Sequence, residues 1–350
     1  MVDSEVLDRV KGCLLGGAIG DALGYAVEFS SLERIRVKYG ADGIADYELD
    51  PTSGEAIFSD DTQMSLFTAE GLLSAVKPGE PLDFDAAIRS IHLAYLDWLE
   101  TQRSRTARTD EGASRLMREP KLFRDRAPGT TCLSALRSGN CGSPEAPINN
   151  SKGCGGVMRV APIGALNANL SDAEVVRLGA AAAAITHGHS LGYMPAGVAA
   201  LAVRRLIYAP TGSVVETLRS SCADALALFA DDPNVDALKS LLDKALDLAA
   251  RGGDDAENVA AIGEGWVGEE ALAIAIYCAA RWENDFSRCV VAAVNCDGDS
   301  DSNGAVAGNI LGAALGASRI DAKWLEKLEL RGLIEEIAGD LANGGRGRDR

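Results

Sequence analysis

The sequence predicts an all-α protein, and three observations lead to that prediction. Apolar residues recur at helical spacing through most of the 350-residue chain. Alternating patterns bounded by turn residues, which are typical of strands, are nearly absent. The composition is rich in alanine and only 5% of the residues are aromatic, which favours helices over sheets. We therefore expect a compact bundle of helices.

Segments with helical spacing follow one another along the whole chain. Residues 83–100 carry one apolar stripe that suits a helix facing a core, and we interpret His92 on that stripe as a core histidine. Capping boxes at 171–174 and 213–216 mark two further helix starts. The remaining helices are predicted near 4–27, 61–76, 235–250, 268–281, 304–317 and 320–338.

Length and composition indicate a single domain over residues 1–340, followed by a flexible C-terminal tail at 341–350. The formal net charge of −17 disfavours nucleic acid and anionic membranes as partners, because the protein repels phosphate. No stretch reaches about 18 uninterrupted apolar residues, and the first residues do not resemble a signal peptide. Eight cysteines without a CxxC pair suggest a reducing compartment, so we expect a cytoplasmic protein.

The first predicted helix carries Gly12, Gly16, Gly20 and Gly24 at intervals of four residues. A glycine inside a helix costs roughly 1 kcal/mol relative to alanine, so the pattern requires a compensating contact. Glycines one turn apart form a flat stripe that another backbone or a ligand can approach. We interpret the stripe as close helix packing, with Glu28 projecting from the end of the same face.

Two acidic clusters lie at helix starts in distant parts of the chain, at 59–62 and at 297–304. Helix capping accounts for one aspartate of the first cluster but less well for the whole set. Repulsion among close carboxylates is relieved by a cation, and oxygen ligands favour Mg²⁺, Mn²⁺ or Ca²⁺ over zinc. The two clusters could converge on a two-metal centre of the hydrolytic type. The alternative for the cluster at 297–304 is an acidic turn exposed to solvent.

Residues 299–304 also match the first half of an EF-hand loop, including Gly304 at position six. The match fails at position twelve, which is Ile310 rather than glutamate. Residues 305–311 are mostly apolar, as in a buried helix. We therefore exclude an EF-hand.

Two further segments have features of ligand binding. The glycine-rich loop 151–159 would let backbone amides close on an anionic group such as a pyrophosphate, although it matches neither a P-loop nor a dinucleotide fingerprint. His187 and His189 lie at the end of an alanine-rich helix. A histidine at that position is either a ligand contact or a partner of the helix dipole, and the residue types alone leave both readings open.

Taken together, these motifs resemble those of the ADP-ribosylglycohydrolases, a family that removes ADP-ribose from modified proteins. The likeness covers nearly the whole chain, and the motifs occur in the family's order. They are residues 16–24 with Glu28, then 58–62, 127–131, 153–162, 186–187, 265–272 and 297–304.

The resemblance implies an orthogonal bundle of many helices around a dinuclear centre that holds two Mg²⁺ or Mn²⁺ ions. It implies two groups of metal ligands, which are Ser59, Asp60 and Asp61 and then Asp299, Asp301 and Ser302. It also implies contacts to ADP-ribose from Glu28, Gly129, Gly153, Cys154, Gly155, Gly156 and His187. Cys154 stands where several relatives have asparagine, and Glu28 would lie beside the scissile bond.

The implied reaction is hydrolysis at the anomeric carbon of the distal ribose, with Glu28, Asp60 or Asp61 transferring the proton. ADP-ribose would be the product, and the partner an ADP-ribosylated protein or a small ADP-riboside, with arginine-linked ADP-ribose favoured. Two other functions stay open at this stage: a metal-dependent phosphoesterase and a non-catalytic ADP-ribose-binding protein. Because an inactive scaffold has no need of buried charge, the six implied ligand positions argue against the latter.

Overall fold

The structure is a computed structural model, and it describes residues 2–77, 79–110 and 112–346. Over these residues the chain forms sixteen α-helices and four short 3-10 helices. Extended pairing in the same residues is limited to isolated bridges, which join Ala56 to Leu328 and Gly153 to Val267. The predicted all-α fold is therefore confirmed.

The α-helices are α1 (Ser4–Tyr25), α2 (Leu32–Tyr39), α3 (Asp60–Ala75), α4 (Phe84–Thr101), α5 (Thr130–Arg137), α6 (Ala161–Ala165), α7 (Asp172–Ala184), α8 (Ser190–Tyr208), α9 (Val214–Ala227), α10 (Val235–Arg251), α11 (Asp255–Ile262), α12 (Gly268–Arg281), α13 (Phe286–Val294), α14 (Ser300–Leu315), α15 (Ala322–Glu326) and α16 (Arg331–Ala342). The 3-10 helices are Leu116–Arg118, Pro120–Leu122, Cys154–Gly156 and Ala317–Arg319. Both predicted capping boxes are present, at the starts of α7 and α9.

The observed helix bounds differ from the predicted ones near the end of the chain. The segment predicted as one helix at 320–338 forms α15 and α16, separated by Leu330 with a φ of 52°. The helix predicted at 304–317 begins at Ser300, because the Asp299 side chain caps it by accepting a hydrogen bond from the Ser302 amide. The second acidic cluster therefore lies partly within the first turn of α14.

The segment predicted as a C-terminal tail, 341–350, is described as far as Arg346. Its first two residues complete α16. The Arg346 guanidinium donates a hydrogen bond to the Glu70 carboxylate on α3. Residues 347–350 lie outside the described part of the chain.

Helices α1 and α14 pack against each other along most of their length at the centre of the molecule. The glycine stripe of α1 faces Gly304, Gly308 and Gly312 of α14, in antiparallel order. A Cβ atom on Gly20 would collide with the backbone carbonyl of Gly304. The predicted close packing thus accounts for the glycines, and α14 starts where α1 ends.

Alanine-rich, almost completely buried helices surround this pair. Both α8 and α12 contact α14, while α7 packs on α8 and α3 packs on α4. His92 on α4, predicted as a core histidine with its hydrogen bonds made, is only partly buried, and its Nε2 atom is buried without a hydrogen-bond partner. Burial lowers its pKa. Among the described helices, none combines the length and the apolar character that crossing a bilayer requires.

Candidate metal centre and ligand cleft

Three helix ends meet at one cleft: the C-terminal end of α1 and the N-terminal ends of α14 and α3. The antiparallel contact between α1 and α14 brings the first two together. Glu28 follows the last turn of α1, while Asp299 and Asp301 lie at the start of α14. Each of these carboxylates offers an oxygen atom, and the three oxygens lie within 4.8 Å of one another. The start of α3 adds Asp60 and Asp61 to the same cleft.

Asp21 fixes the start of α3 on α1. Its carboxylate accepts hydrogen bonds from the backbone amides of Ser59, at 2.8 Å, and Thr62, at 2.9 Å. The Thr62 hydroxyl donates a third bond of 2.6 Å. Burial raises the pKa of Asp21 to about 6, although these bonds oppose the shift. Asp21 was not among the predicted site residues.

The carboxylates in the cleft are buried and repel one another. Burial raises the pKa of Glu28 to about 9, and the neighbouring Asp299 and Asp60 add to the shift. Burial and nearby carboxylates also raise the pKa of Asp60, Asp61 and Asp301 well above the usual range. Glu28 Oε2 and Asp61 Oδ2 are buried without a hydrogen-bond partner. A divalent cation would supply the positive charge that these oxygens lack.

The structure brings five of the six predicted metal ligands to the cleft surface. They are Asp60, Asp61, Asp299, Asp301 and Ser302. The sixth, Ser59, is fully buried at the N-cap of α3, where its hydroxyl accepts a hydrogen bond of 3.2 Å from the Asp61 amide. The donor set of carboxylate and hydroxyl oxygens fits Mg²⁺ or Mn²⁺.

The glycine-rich loop forms the wall opposite the start of α3. Its Cys154 amide donates to the Trp266 carbonyl at 3.1 Å. A Cβ atom on Gly155 would lie 2.9 Å from Cys132 Sγ and 3.0 Å from His187 Cε1, so only glycine fits there. Gly153, Cys154 and Gly155 line the cleft.

The other two predicted glycine contacts have different positions. Gly129 lines the cleft, and its amide donates a 3.2 Å hydrogen bond to Asp60 Oδ2. Gly156 is buried, and a Cβ there would meet Ala183 and the Gly192 carbonyl. We therefore assign Gly156 to helix packing rather than to the cleft surface.

His187 lines the cleft as a neutral imidazole. Burial, together with the nearby Arg159 guanidinium, lowers the pKa of His187 to about 3. Its Nδ1 atom lies 2.8 Å from the Thr186 hydroxyl, which accepts a 2.7 Å hydrogen bond from Arg159. Arg159 is fully buried and its guanidinium lies 4.4 Å from the centre of the Tyr95 ring. This buried arginine, which was not singled out from the sequence, positions the histidine.

The cleft has a volume of about 340 Å³ and an aromatic mouth. Phe29, which is 73% exposed, stacks on Trp266 with ring centres 6.1 Å apart and planes inclined by 16°. A larger depression of about 500 Å³ lies beside Trp282 and Trp324. Both basic and acidic side chains line that depression. In the smaller cleft, the acidic side chains are carboxylates, and His187 is the one basic residue of the lining among the described parts of the chain.

These features define a class: an all-helical protein with buried carboxylates gathered at helix ends in a ligand-sized cleft. Comparison with known proteins gives the family. The family described as ADP-ribosylglycohydrolase matches residues 3–350. The chain therefore belongs to the ADP-ribosylglycohydrolase family, as its motifs predicted.

Relatives match the chain over most of its length. Uncharacterized protein YegU of Escherichia coli (strain K12) is 29% identical over 329 residues, which cover 90% of each chain. ADP-ribosylhydrolase ARH3 of Bos taurus is 25% identical over 358 aligned residues, covering 92% of this chain and 89% of the relative. A solved structure described as an ADP-ribosylglycohydrolase-related protein complex has 25% identity and a TM-score of 0.65, with 98% of this chain and 100% of that chain covered. The fold is therefore ADP-ribosylglycohydrolase-like.

Proposed function

We propose that this protein is a cation-dependent hydrolase that cleaves the glycosidic bond between ADP-ribose and the group it modifies, and releases ADP-ribose. The observation that carries the proposal is the convergence of Glu28, Asp299 and Asp301 within 4.8 Å at the floor of the cleft. Family membership supports the same reaction.

Two Mg²⁺ or Mn²⁺ ions would be held by the carboxylates of α3 and α14. The ligands would be Asp60, Asp61, Asp299, Asp301 and Ser302. Ser59 would be the sixth ligand once its hydroxyl no longer accepts the hydrogen bond from the Asp61 amide. The ions, when bound, supply positive charge to the ribose hydroxyls and lower the pKa of a water molecule.

Glu28 is the residue that we propose to transfer the proton. Its Oε2 atom has no hydrogen-bond partner, whereas Asp60 Oδ2 accepts a bond from the Gly129 amide. Burial and the neighbouring carboxylates raise the pKa of Glu28 to about 9 in the absence of cations, and bound cations would lower it from that value. A protonated carboxyl can donate to the leaving group of a glycosidic bond.

The rest of the cleft suits an anionic ligand despite the net charge of −17. The N-termini of α3 and α14 both point into it, and helix N-termini carry partial positive charge. Amides of the loop 153–155 can close on the diphosphate. The neutral His187 offers a hydrogen bond without adding charge. The proposed product is therefore ADP-ribose.

Arginine-linked ADP-ribose is the substrate that we favour. Phe29 and Trp266 stack at the mouth, and Phe29 follows Glu28 directly in the chain. Aromatic faces attract a guanidinium by cation–π interaction, and nearby carboxylates strengthen the attraction. An ADP-ribosylated protein or a small arginine-containing ADP-riboside would present that group.

All eight cysteines are free thiols, which agrees with the cytoplasmic setting that we propose.

The test is release of ADP-ribose from an arginine-ADP-ribosylated protein with Mg²⁺, with Mn²⁺ and with a chelator. We expect intact ADP-ribose only when a cation is present. Asp60→Ala and Asp301→Ala should each lower the rate by on the order of 10²-fold or more.

The matched control is Asp297→Asn. Asp297 belongs to the same acidic stretch, but it is exposed and accepts a hydrogen bond from the Leu32 amide at the start of α2. Activity should be retained in this variant. Full activity in both cleft variants would refute the proposed centre. Release of AMP or phosphate would indicate a phosphoesterase, and binding without turnover a non-catalytic protein.

A further inference from the structure

We propose that the thiol of Cys154 makes this centre bind thiophilic divalent cations, Zn²⁺ above all, through a mixed sulfur and carboxylate ligand set. The inference rests on the cation centre of the proposed function. It adds one sulfur ligand to the oxygen ligands of that centre, so a thiophilic cation should bind there more tightly than Mg²⁺ does.

The Cys154 side chain is directed at the acidic cluster. Its Sγ atom donates a hydrogen bond of 2.8 Å to Asp299 Oδ2. The residue begins the 3-10 helix of the glycine-rich loop, and its amide and carbonyl are bonded to Trp266 and Val157 respectively. The loop backbone therefore holds the sulfur atom beside Asp299.

Two buried oxygens of the same cleft independently indicate a cation. Glu28 is 7% exposed and Asp61 is 3% exposed, and each has one carboxylate oxygen without a partner. Both residues line the cleft together with Cys154. One cation could bind the sulfur and Asp299 at once, and it would replace the hydrogen bond between Cys154 and Asp299. Asp299 also belongs to the group of three carboxylates within 4.8 Å of one another, so it joins the sulfur to that group.

The coordination chemistry is simple and needs no oxidant. The thiol releases its proton to solvent, and a sulfur–metal bond forms, with a length of about 2.3 Å for zinc. Thiolates select Zn²⁺ and other soft cations, whereas Mg²⁺ prefers oxygen ligands. An asparagine or serine at this position would offer oxygen alone.

A purely structural role for Cys154 makes a different prediction. If the thiol only orients Asp299, then Cys154→Ser, which keeps a hydroxyl donor, should bind all cations as the unchanged protein does. Cys154→Asn, which removes the sulfur and provides an amide, serves as the second variant. The two variants therefore separate hydrogen bonding from coordination.

The experiment is a titration of the full chain with Co²⁺, followed by near-ultraviolet and visible absorption. We expect a sulfur-to-cobalt charge-transfer band that is lost in Cys154→Ser and Cys154→Asn. Cys132→Ser, which changes the other thiol that lines the cleft, and Cys141→Ser, which changes an exposed thiol, should both keep the band. By calorimetry, the affinity for Zn²⁺ relative to Mg²⁺ should fall at least about tenfold in Cys154→Ser.

Each result bears on one proposal or on both. Binding of Co²⁺ without the charge-transfer band overturns the role of Cys154 and leaves the cation centre in place. A band that survives in Cys154→Ser and disappears in Cys132→Ser or Cys141→Ser assigns the sulfur elsewhere and also overturns it. If no variant binds Co²⁺, Zn²⁺, Mg²⁺ or Mn²⁺, the cation centre and the proposed function fail together. Thermal unfolding of each variant checks that it is folded.

Discussion

Asp21 is a buried residue that positions the first acidic cluster without lining the cleft. Both of its carboxylate oxygens accept hydrogen bonds from the first turn of α3 and its cap. An Asp21→Asn variant would turn an amide N–H₂ group towards N–H donors. We expect a loss of about 1–3 kcal/mol in the free energy of unfolding, measured with urea. An unchanged urea midpoint would show that α3 is held by other contacts.

The raised pKa of Glu28 predicts how stability depends on pH when a chelator removes cations. The folded protein keeps the carboxyl protonated up to about pH 9, whereas the unfolded chain releases that proton near its ordinary pKa of 4.5. The folded state therefore binds more protons between these values, so stability falls as pH rises through this window. We expect the melting temperature of the chelated protein to decrease from pH 5 to pH 9.

Glu28→Gln is the control for this pH dependence. The amide does not titrate, so the decrease in melting temperature should be smaller in the variant. An identical pH profile in both proteins would assign the effect to the aspartates alone.

At the residue scale, dense runs of carboxylates at helix starts predicted that the two acidic clusters converge, whereas the metal-ligand roles of their residues stay predictions. Asp60, Asp61, Asp299 and Asp301 stand in dense polar runs at helix starts, and the structure places all four on the cleft. Asp21 could not be found in this way, because it lies within the glycine stripe of α1 and its partners are 38 and 41 residues away. Only the tertiary contact reveals its role.

At the scale of elements, the glycine contact between α1 and α14 determines how the halves of the cleft meet. Gly20→Ala would place a methyl group against the Gly304 backbone. Separating the helices or straining the backbone should cost about 1–3 kcal/mol or more. We expect a lower melting temperature and weaker cation binding, measured by differential scanning calorimetry and by calorimetric titration.

Gly339→Ala is the matched control for this substitution. Gly339 lies within α16, and a Cβ atom there would meet no heavy atom within 4 Å. Alanine is the better helix former, so this variant should gain about 0.5–1 kcal/mol. Equal effects of the two substitutions would argue that helix propensity, and not the close contact, explains the glycine stripe.

Helix starts were predicted best where a capping signal marks them, whereas no helix was predicted for α2, α8 or α13. The capping boxes of α7 and α9 carry a local signal, and both helices begin where that signal lies. The break at Leu330 has no such signal, because a leucine with positive φ is uncommon and the nearest glycine, Gly332, lies inside α16. A tertiary contact holds the residues just before it: the Ala56 amide donates to the Lys327 carbonyl, and the Glu329 amide donates to the Ala56 carbonyl.

At the scale of the whole molecule, the proposed cation centre predicts that cation binding and folding are linked through the buried carboxylates. A cation that binds only the folded state adds about 2.7 kcal/mol of stability at a concentration of 100 times its Kd. We expect Mg²⁺ or Mn²⁺ to raise the melting temperature, and Asp301→Asn to reduce the rise. Sodium chloride at matched ionic strength controls for screening of the net charge of −17. An equal rise with sodium chloride would contradict specific binding.

The contact between α1 and α14 also has a consequence for how the protein is made on the ribosome. Glu28 and Asp60 leave the ribosome before Asp299 at the start of α14, which follows Asp60 by about 240 residues. At usual rates of translation this separation is a delay of roughly 10–50 s. During that interval α1 exposes its glycine face without the helix that covers it. A product terminated before α14 would lack the second cluster, so activity should arise only after α14 has been synthesised.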